Sequence, residues 1–138
     1  MYDIADKIID LRLNTRRVCM CEGEKNKKST ITLKTKVLFL IEQGNGTKDI
    51  ILSLGIAKTN LALLTSSLSN EGLIVKKQKA DDRREKSYAL TEKGKQHLAS
   101  IRERINLAFK TVITNEEEFE QAVEKIDAVL DLMSFIGY

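Results

Sequence analysis

Asp82-Arg83-Arg84-Glu85-Lys86-Ser87-Tyr88-Ala89-Leu90-Thr91-Glu92-Lys93-Gly94 is the stretch on which the reading of this chain turns. It opens as a charged turn, continues as a strand alternating toward Tyr88 and Leu90, and ends on a Thr suited to cap a helix. Just upstream, Glu71-Gly72-Leu73-Ile74-Val75-Lys76-Lys77 reads as a helix end, its Gly stop and a matching strand. The two strands are expected to pair as a hairpin whose tip, Gln78 to Glu85, carries Lys79, Arg83 and Arg84. Lysines often do no more than guard an exposed strand edge. What precedes the hairpin decides what its charge is for.

Upstream lie three helices in quick succession. Thr32 is a candidate cap for Leu33 to Gln43, with Leu33, Val37, Leu40 and Ile41 inward and Gly44 as the stop. Asn45-Gly46 is a turn, and Thr47 is the candidate cap of a short helix from Lys48 to about Leu54, ended by Gly55. Ala57 to Asn70 follows, with Leu61, Leu64 and Leu68 at helical spacing. Two helices joined by a tight Gly-containing turn make a helix-turn-helix, whose second member normally enters the major groove of DNA. With a basic hairpin behind it, the layout is that of a winged helix. A capped helix N-terminus also binds phosphate, so Thr47 and Lys48 are candidate phosphate contacts.

The flanks are helical too. Ile4, Ile8, Leu11, Thr15 and Val18 recur at three and four between Tyr2 and about Cys21, and residues 22–28 read as a polar loop. After Thr91, Leu98, Ile101, Ile105, Ala108, Phe109 and Val112 run along one face of a long helix. Thr114-Asn115 breaks it, and Asn115 caps a last helix opened by Glu116, Glu117 and Glu118, with acids favourably placed at its N-terminus. The apolar face of that helix includes Phe119, Val123, Ile126, Leu130 and Met133. Stripes this long cannot be hidden in so small a core, which points to a second copy of the chain about a two-fold axis. The expected fold is mainly α with a small β-hairpin wing. Residues 1–30 form a dimerisation helix and loop, 31–94 the winged helix-turn-helix lobe, and 95–138 the C-terminal dimerisation helices.

Charge divides along the same lines. Residues 1–114 hold 22 Lys and Arg against 13 Asp and Glu, a balance of +9, while residues 115–138 hold one Lys against seven acids, a balance of −6. A basic body suits a polyanion, because each neutralised phosphate releases counterions; the acidic end should face away from it. No apolar run approaches the length that spans a bilayer, and Asp3, Asp6, Lys7 and Asp10 interrupt any signal-peptide core. A cytoplasmic location is the default expectation, with no membrane partner. Cys19 and Cys21, two apart on a helix, point in nearly opposite directions and do not suit an intramolecular disulfide. With a single His, His97, they do not make a zinc site either. Their bland reading is reduced thiols; the functional one is an oxidation sensor at Cys19, helped by Arg16 and Arg17. No arrangement of nucleophile, base and donors surrounds His97, so neither an enzyme nor a cofactor is expected.

The order of elements and the wing residues resemble the MarR/SlyA family of bacterial transcription regulators. The likeness runs from about Leu33 through Gly94, and rests on Leu68-x-x-Glu71-Gly72-Leu73-Ile74 and on Asp82-Arg83-Arg84 followed by Leu90-Thr91-x-x-Gly94. The resemblance implies a homodimer with interlocked terminal helices, a recognition helix from Lys58 to Ser69, and Arg84 reaching a minor groove with Asp82 orienting it. Lys79, Arg83 and Lys86 would complete the wing contacts. A narrow A·T-rich minor groove attracts an inserted Arg, which agrees. One departure matters: relatives often carry an Arg toward the base edges where this chain has Leu63. Its polar candidates are Lys58, Thr59, Asn60, Thr65, Ser66 and Ser67. Asn60 suits a bidentate contact to adenine, and Thr59 or Leu63 a thymine methyl, which points to an A·T-rich, pseudo-palindromic operator in double-stranded DNA. The resemblance further implies repression by promoter occlusion, relieved by a small aromatic effector in a cleft by the first and fifth helices, or by thiol oxidation. The rival reading is a winged-helix module that binds protein instead, since a fold does not fix a function.

Overall fold

The computed structural model describes residues 4–15, 31–77 and 86–136. In chain order they form α1 (Ile4–Thr15), α2 (Leu33–Glu42), α3 (Thr47–Leu54), α4 (Lys58–Asn70), β1 (Ile74–Lys77), β2 (Ser87–Leu90), α5 (Glu92–Val112) and α6 (Glu116–Ile136). The strands pair antiparallel, Ile74 opposite Leu90 and Lys76 opposite Tyr88. The chain bends by 115° between α3 and α4, within the range of helix-turn-helix pairs. The mainly α fold with a small hairpin wing is therefore as read from the sequence.

Helix α2 is the central post of the lobe, packed against α3, β2 and α5. That position widens its buried arc beyond the stripe expected. Val37 and Ile41 are buried as predicted, but Leu38 and Thr35 are buried too, while Leu33, at the open N-terminal edge, is 40% exposed. With partners on more than one side, a single apolar stripe underestimates what a helix buries. Around α2 the core gathers Ile50 of α3, Leu61 and Leu68 of α4, Leu73 and Ile74 at the start of the hairpin, and Leu98 of α5.

The helix ends explain why the lobe has one shape. Thr32 caps α2, its hydroxyl oxygen accepting from the Thr35 N–H at 3.2 Å. Gly72, at φ +75°, lets α4 stop sharply and turn into β1, a conformation that costs a Cβ-bearing residue steric strain. Thr91 fastens the other end of the hairpin. Its oxygen accepts from the Gly94 N–H at 3.0 Å, its hydroxyl donates to the Gly72 carbonyl at 2.6 Å, and its N–H donates to the Leu73 carbonyl at 3.0 Å. A Cβ on Gly94 would overlap the Leu73 carbonyl oxygen. Only glycine lets α5 start this close to β1.

The cap expected at Thr47 is corrected. Gly46 occupies that position with extended backbone, no side chain caps α3, and Thr47 is already the first helical residue. The preceding Asn45 is held to α2, its N–H and side-chain amide both donating to the Leu40 carbonyl, so the chain is free to start the helix directly after it, one residue earlier than expected. At the far end, Asn115 does serve α6, its side-chain oxygen accepting from the Glu117 N–H at 2.9 Å.

The outer helices contrast with the lobe. Ile4, Ile9 and Leu13 of α1, Leu107 and Val112 of α5, and Ile126, Leu130 and Phe135 of α6 are all more than half exposed. Among the described residues no single helix is long and apolar enough to cross a membrane.

Candidate nucleic-acid interface

Helix α4 presents an outer side that is polar apart from Ala62 and Leu63. Leu61, Thr65 and Leu68 turn inward and are buried. Thr65 therefore leaves the set of base-reading candidates; its hydroxyl donates to the Ala62 carbonyl at 3.1 Å, which satisfies it without a ligand. Lys58, Thr59, Asn60, Leu63 and Ser66 are all exposed, as a base-reading face requires. At 100° per residue Thr59, Leu63, Ser66 and Asn70 share the centre of that face. Leu63 is 71% exposed there.

Two kinds of helix start occur in the lobe. The helices that only hold it together, α2 and α5, are capped by Thr32 and Thr91. The two of the helix-turn-helix, α3 and α4, begin at Gly46 and Ala57 with no side-chain cap. Their first-turn N–H groups are not taken up by a capping side chain, the condition under which a helix end receives a phosphate. Thr47 is an exception within its turn, because its N–H points to the Lys86 carbonyl at 3.4 Å. Its side chain, half-buried, and the exposed Lys48 stand beside it.

The root of the wing is in place. Lys76, Lys77 and Lys86 are exposed. The ion pairs among the described residues are Lys34 with Glu71 at 2.8 Å and Arg102 with Glu42; neither involves a cation of this surface. Each partner acid is held below the usual carboxylate range, Glu71 chiefly by the hydrogen bond from Lys34 and Glu42 chiefly by that from Arg102. The lysines of α4 and the wing root are thus left for a partner of opposite charge. Lys79, Asp82, Arg83 and Arg84 of the wing tip lie outside the described residues, as do Cys19 and Cys21.

A separate apolar cavity of about 420 Å³ lies between α2, α3 and α5, lined by Thr35, Phe39, Leu54, Leu98, Ile101 and Ile105 among others. Arg102 rises from its edge, 6.0 Å above the centre of the Phe39 ring. The effector cleft implied by the resemblance lies between the terminal arms and the lobe, by the first and fifth helices; this cavity takes Leu98, Ile101 and Ile105 from α5, and its other described walls come mainly from α2 and α3. The physical reason is that α5 packs along α2, with Leu98 and Ile101 buried in the seam. Sequence reasoning counted Lys76 among the basic hairpin residues and read Tyr88 only as packing in the wing. Their cross-strand pairing was implicit in the hairpin register.

Comparison with known proteins agrees with this geometry. Residues 32–94 match the winged helix DNA-binding domain. No curated protein matches the sequence, but solved structures do. NadR in complex with 4-hydroxyphenylacetate superposes with a TM-score of 0.69 at 18% identity, over 99% of this chain and 93% of that one. A MarR family transcriptional regulator from Listeria monocytogenes, complexed with 26mer DNA, gives 0.59 at 21% identity, over 96% and 90%. A MarR-like transcriptional regulator from Thermotoga maritima gives 0.58 at 24% identity, over 97% and 99%. The resemblance carried by the wing residues is thereby borne out. Residues 32–94 are thus similar to the winged helix DNA-binding domain, and the chain has the fold of the solved MarR-family transcriptional regulators.

Proposed function

We propose that the protein is a homodimeric transcriptional regulator that binds a pseudo-palindromic duplex and represses by occluding the promoter. The observation that carries this reading is the exposed face of α4 beside lysines that no described acid neutralises. Lys58, Thr59, Asn60, Leu63 and Ser66 would read or flank the major groove, Thr47 and Lys48 would meet phosphates, and Lys86 with Lys79, Asp82, Arg83 and Arg84 would serve the wing. A leucine at the centre of the reading face favours contact with thymine methyls. The exposed apolar stripes of α1, α5 and α6 support pairing with a second copy, which supplies two reading helices at a fixed spacing. Selection of bound duplexes from a random library tests this: a two-fold symmetric, A·T-rich consensus is expected, and an unstructured pool overturns it.

Two triggers are proposed for release. NadR was solved with 4-hydroxyphenylacetate, and the cavity offers an aromatic acid apolar walls, with Arg102 at its edge if the acid displaces Glu42 from it. Thermal melts with that compound should show a rise in Tm if a ligand of this class binds. Thiol oxidation at Cys19 or Cys21 is the alternative; peroxide that leaves both thiols reduced and DNA affinity unchanged rejects it. Leu63 also favours one rival, a winged-helix module for protein contacts, because so exposed an apolar side chain suits a protein surface too. Binding to a protein partner that persists at high salt, with none to any duplex, would establish it.

A further inference from the structure

Between α4 and the hairpin runs a cleft of about 430 Å³, walled by Lys58, Ser66 and Ser69 on one side and by Lys76, Lys86 and Tyr88 on the other. The hairpin register explains the second wall. Lys76 and Tyr88 are cross-strand partners, and residues two apart on a strand share a face, so Lys76, Lys86 and Tyr88 continue outward the face that Ile74 and Leu90 turn to the core. Lys77 and Ser87, the neighbouring pair, lie on the other face and line a cavity at the α2–α3 turn that Lys86 and Tyr88 also border, but not the cleft beside α4. Three lysines line the α4–hairpin cleft and, among the described residues, no Asp or Glu does. Tyr88 is half-buried, packs its ring against the core, and its hydroxyl makes no hydrogen bond to a described residue. The hydroxyl is open to solvent, so it can donate to an acceptor that enters the cleft.

The geometry points to the occupant. The major and minor grooves of a duplex are separated by a sugar–phosphate strand, so a protein that sets a helix in one and a hairpin in the next must straddle that strand. We propose that this cleft seats the intervening sugar–phosphate strand, with the Tyr88 hydroxyl donating to a phosphate oxygen and Lys76 and Lys86 neutralising it. The inference rests on the DNA-binding reading above and adds to it the residues that fix the angle between helix and wing. Backbone contacts set register without carrying sequence information, so Tyr88 acts alike on every sequence.

Affinity for a mixed-sequence duplex over a salt series tests this in the full chain, with Tyr88→Phe, Lys76→Gln and Lys77→Gln. Tyr88→Phe keeps the ring in the core and should leave Tm unchanged while weakening binding on the order of tenfold, as loss of a hydrogen bond to a charged group does. Lys76→Gln should weaken binding more than Lys77→Gln and lower the salt slope by about one per protomer. Unchanged affinity in Tyr88→Phe, or equal losses from the two lysine variants, overturns the seat while DNA binding by the parent stands. A parent chain that binds no duplex at low salt overturns the DNA-binding reading itself, and the seat with it.

Discussion

The lobe from α2 to the start of α5 and the helices that flank it solve the same problem in opposite ways. Inside the lobe, apolar side chains meet one another: Val37, Leu38, Ile50 and Leu68 have no exposed surface at all, and the helix ends are fixed by Thr32, Gly72 and Thr91. In α6 none of the described apolar side chains is buried, and Phe135 is 88% exposed. The lobe is complete within one chain, whereas the arms carry hydrophobic surface that a monomer leaves in water. Substitutions in the two regions should therefore fail differently, one by unfolding and the other by dissociating.

The largest effect is expected at the centre of the lobe. Leu38→Ala removes a fully buried side chain and should cost about 2–5 kcal/mol of stability, read by urea unfolding. In the arms, Ile126→Glu with Leu130→Glu should leave the far-ultraviolet spectrum of a folded protein but give a monomer by sedimentation equilibrium. A dimer that survives the pair of charges would remove the contrast between the regions. Gly94→Ala probes the joint between them. The added Cβ meets the Leu73 carbonyl, and the shift it forces should cost about 1–3 kcal/mol, seen as a lowered Tm.

The smallest effect belongs to the clasp between Glu42 and Arg102, which links α2 to α5 at the surface. Glu42 is held below the ordinary glutamate value, chiefly by the hydrogen bond from Arg102. Its contribution is therefore fully present above that value, about 4.3, and lost as pH falls through the lowered one. An exposed pair is worth only about 0.2–1 kcal/mol. Glu42→Gln should melt slightly below the parent at pH 7, with the difference vanishing in acid. A difference that grows as pH falls would contradict the sign.

How far the sequence reached also follows the division. Strand and helix order in the lobe was legible because each element ends in a punctuating residue, Gly44, Gly55, Gly72 or Thr91, and the chain has no Pro to confuse it. What escaped was three-dimensional. Leu38 and Thr35 are buried because α2 has partners on more than one side, which its own period cannot reveal. Thr65 carries the same composition signal as Ser66 but sits 100° away on α4, toward the core. Thr47 looks like a cap until Asn45 is seen bonded back to Leu40. The Tyr88 cleft needed the register of two strands and their distance from α4, and only the first is written in the chain.

DNA binding, as proposed, runs through the basic surface centred on α4. Affinity for the selected duplex across a salt series, parent against Arg84→Ala and Lys58→Ala, tests it most directly. Expected are a steep linear fall of log affinity with log salt, a loss on the order of 1–3 kcal/mol in Arg84→Ala, and a slope reduced by about one per protomer in Lys58→Ala. Salt-independent binding, or variants that bind as tightly as the parent, would contradict it.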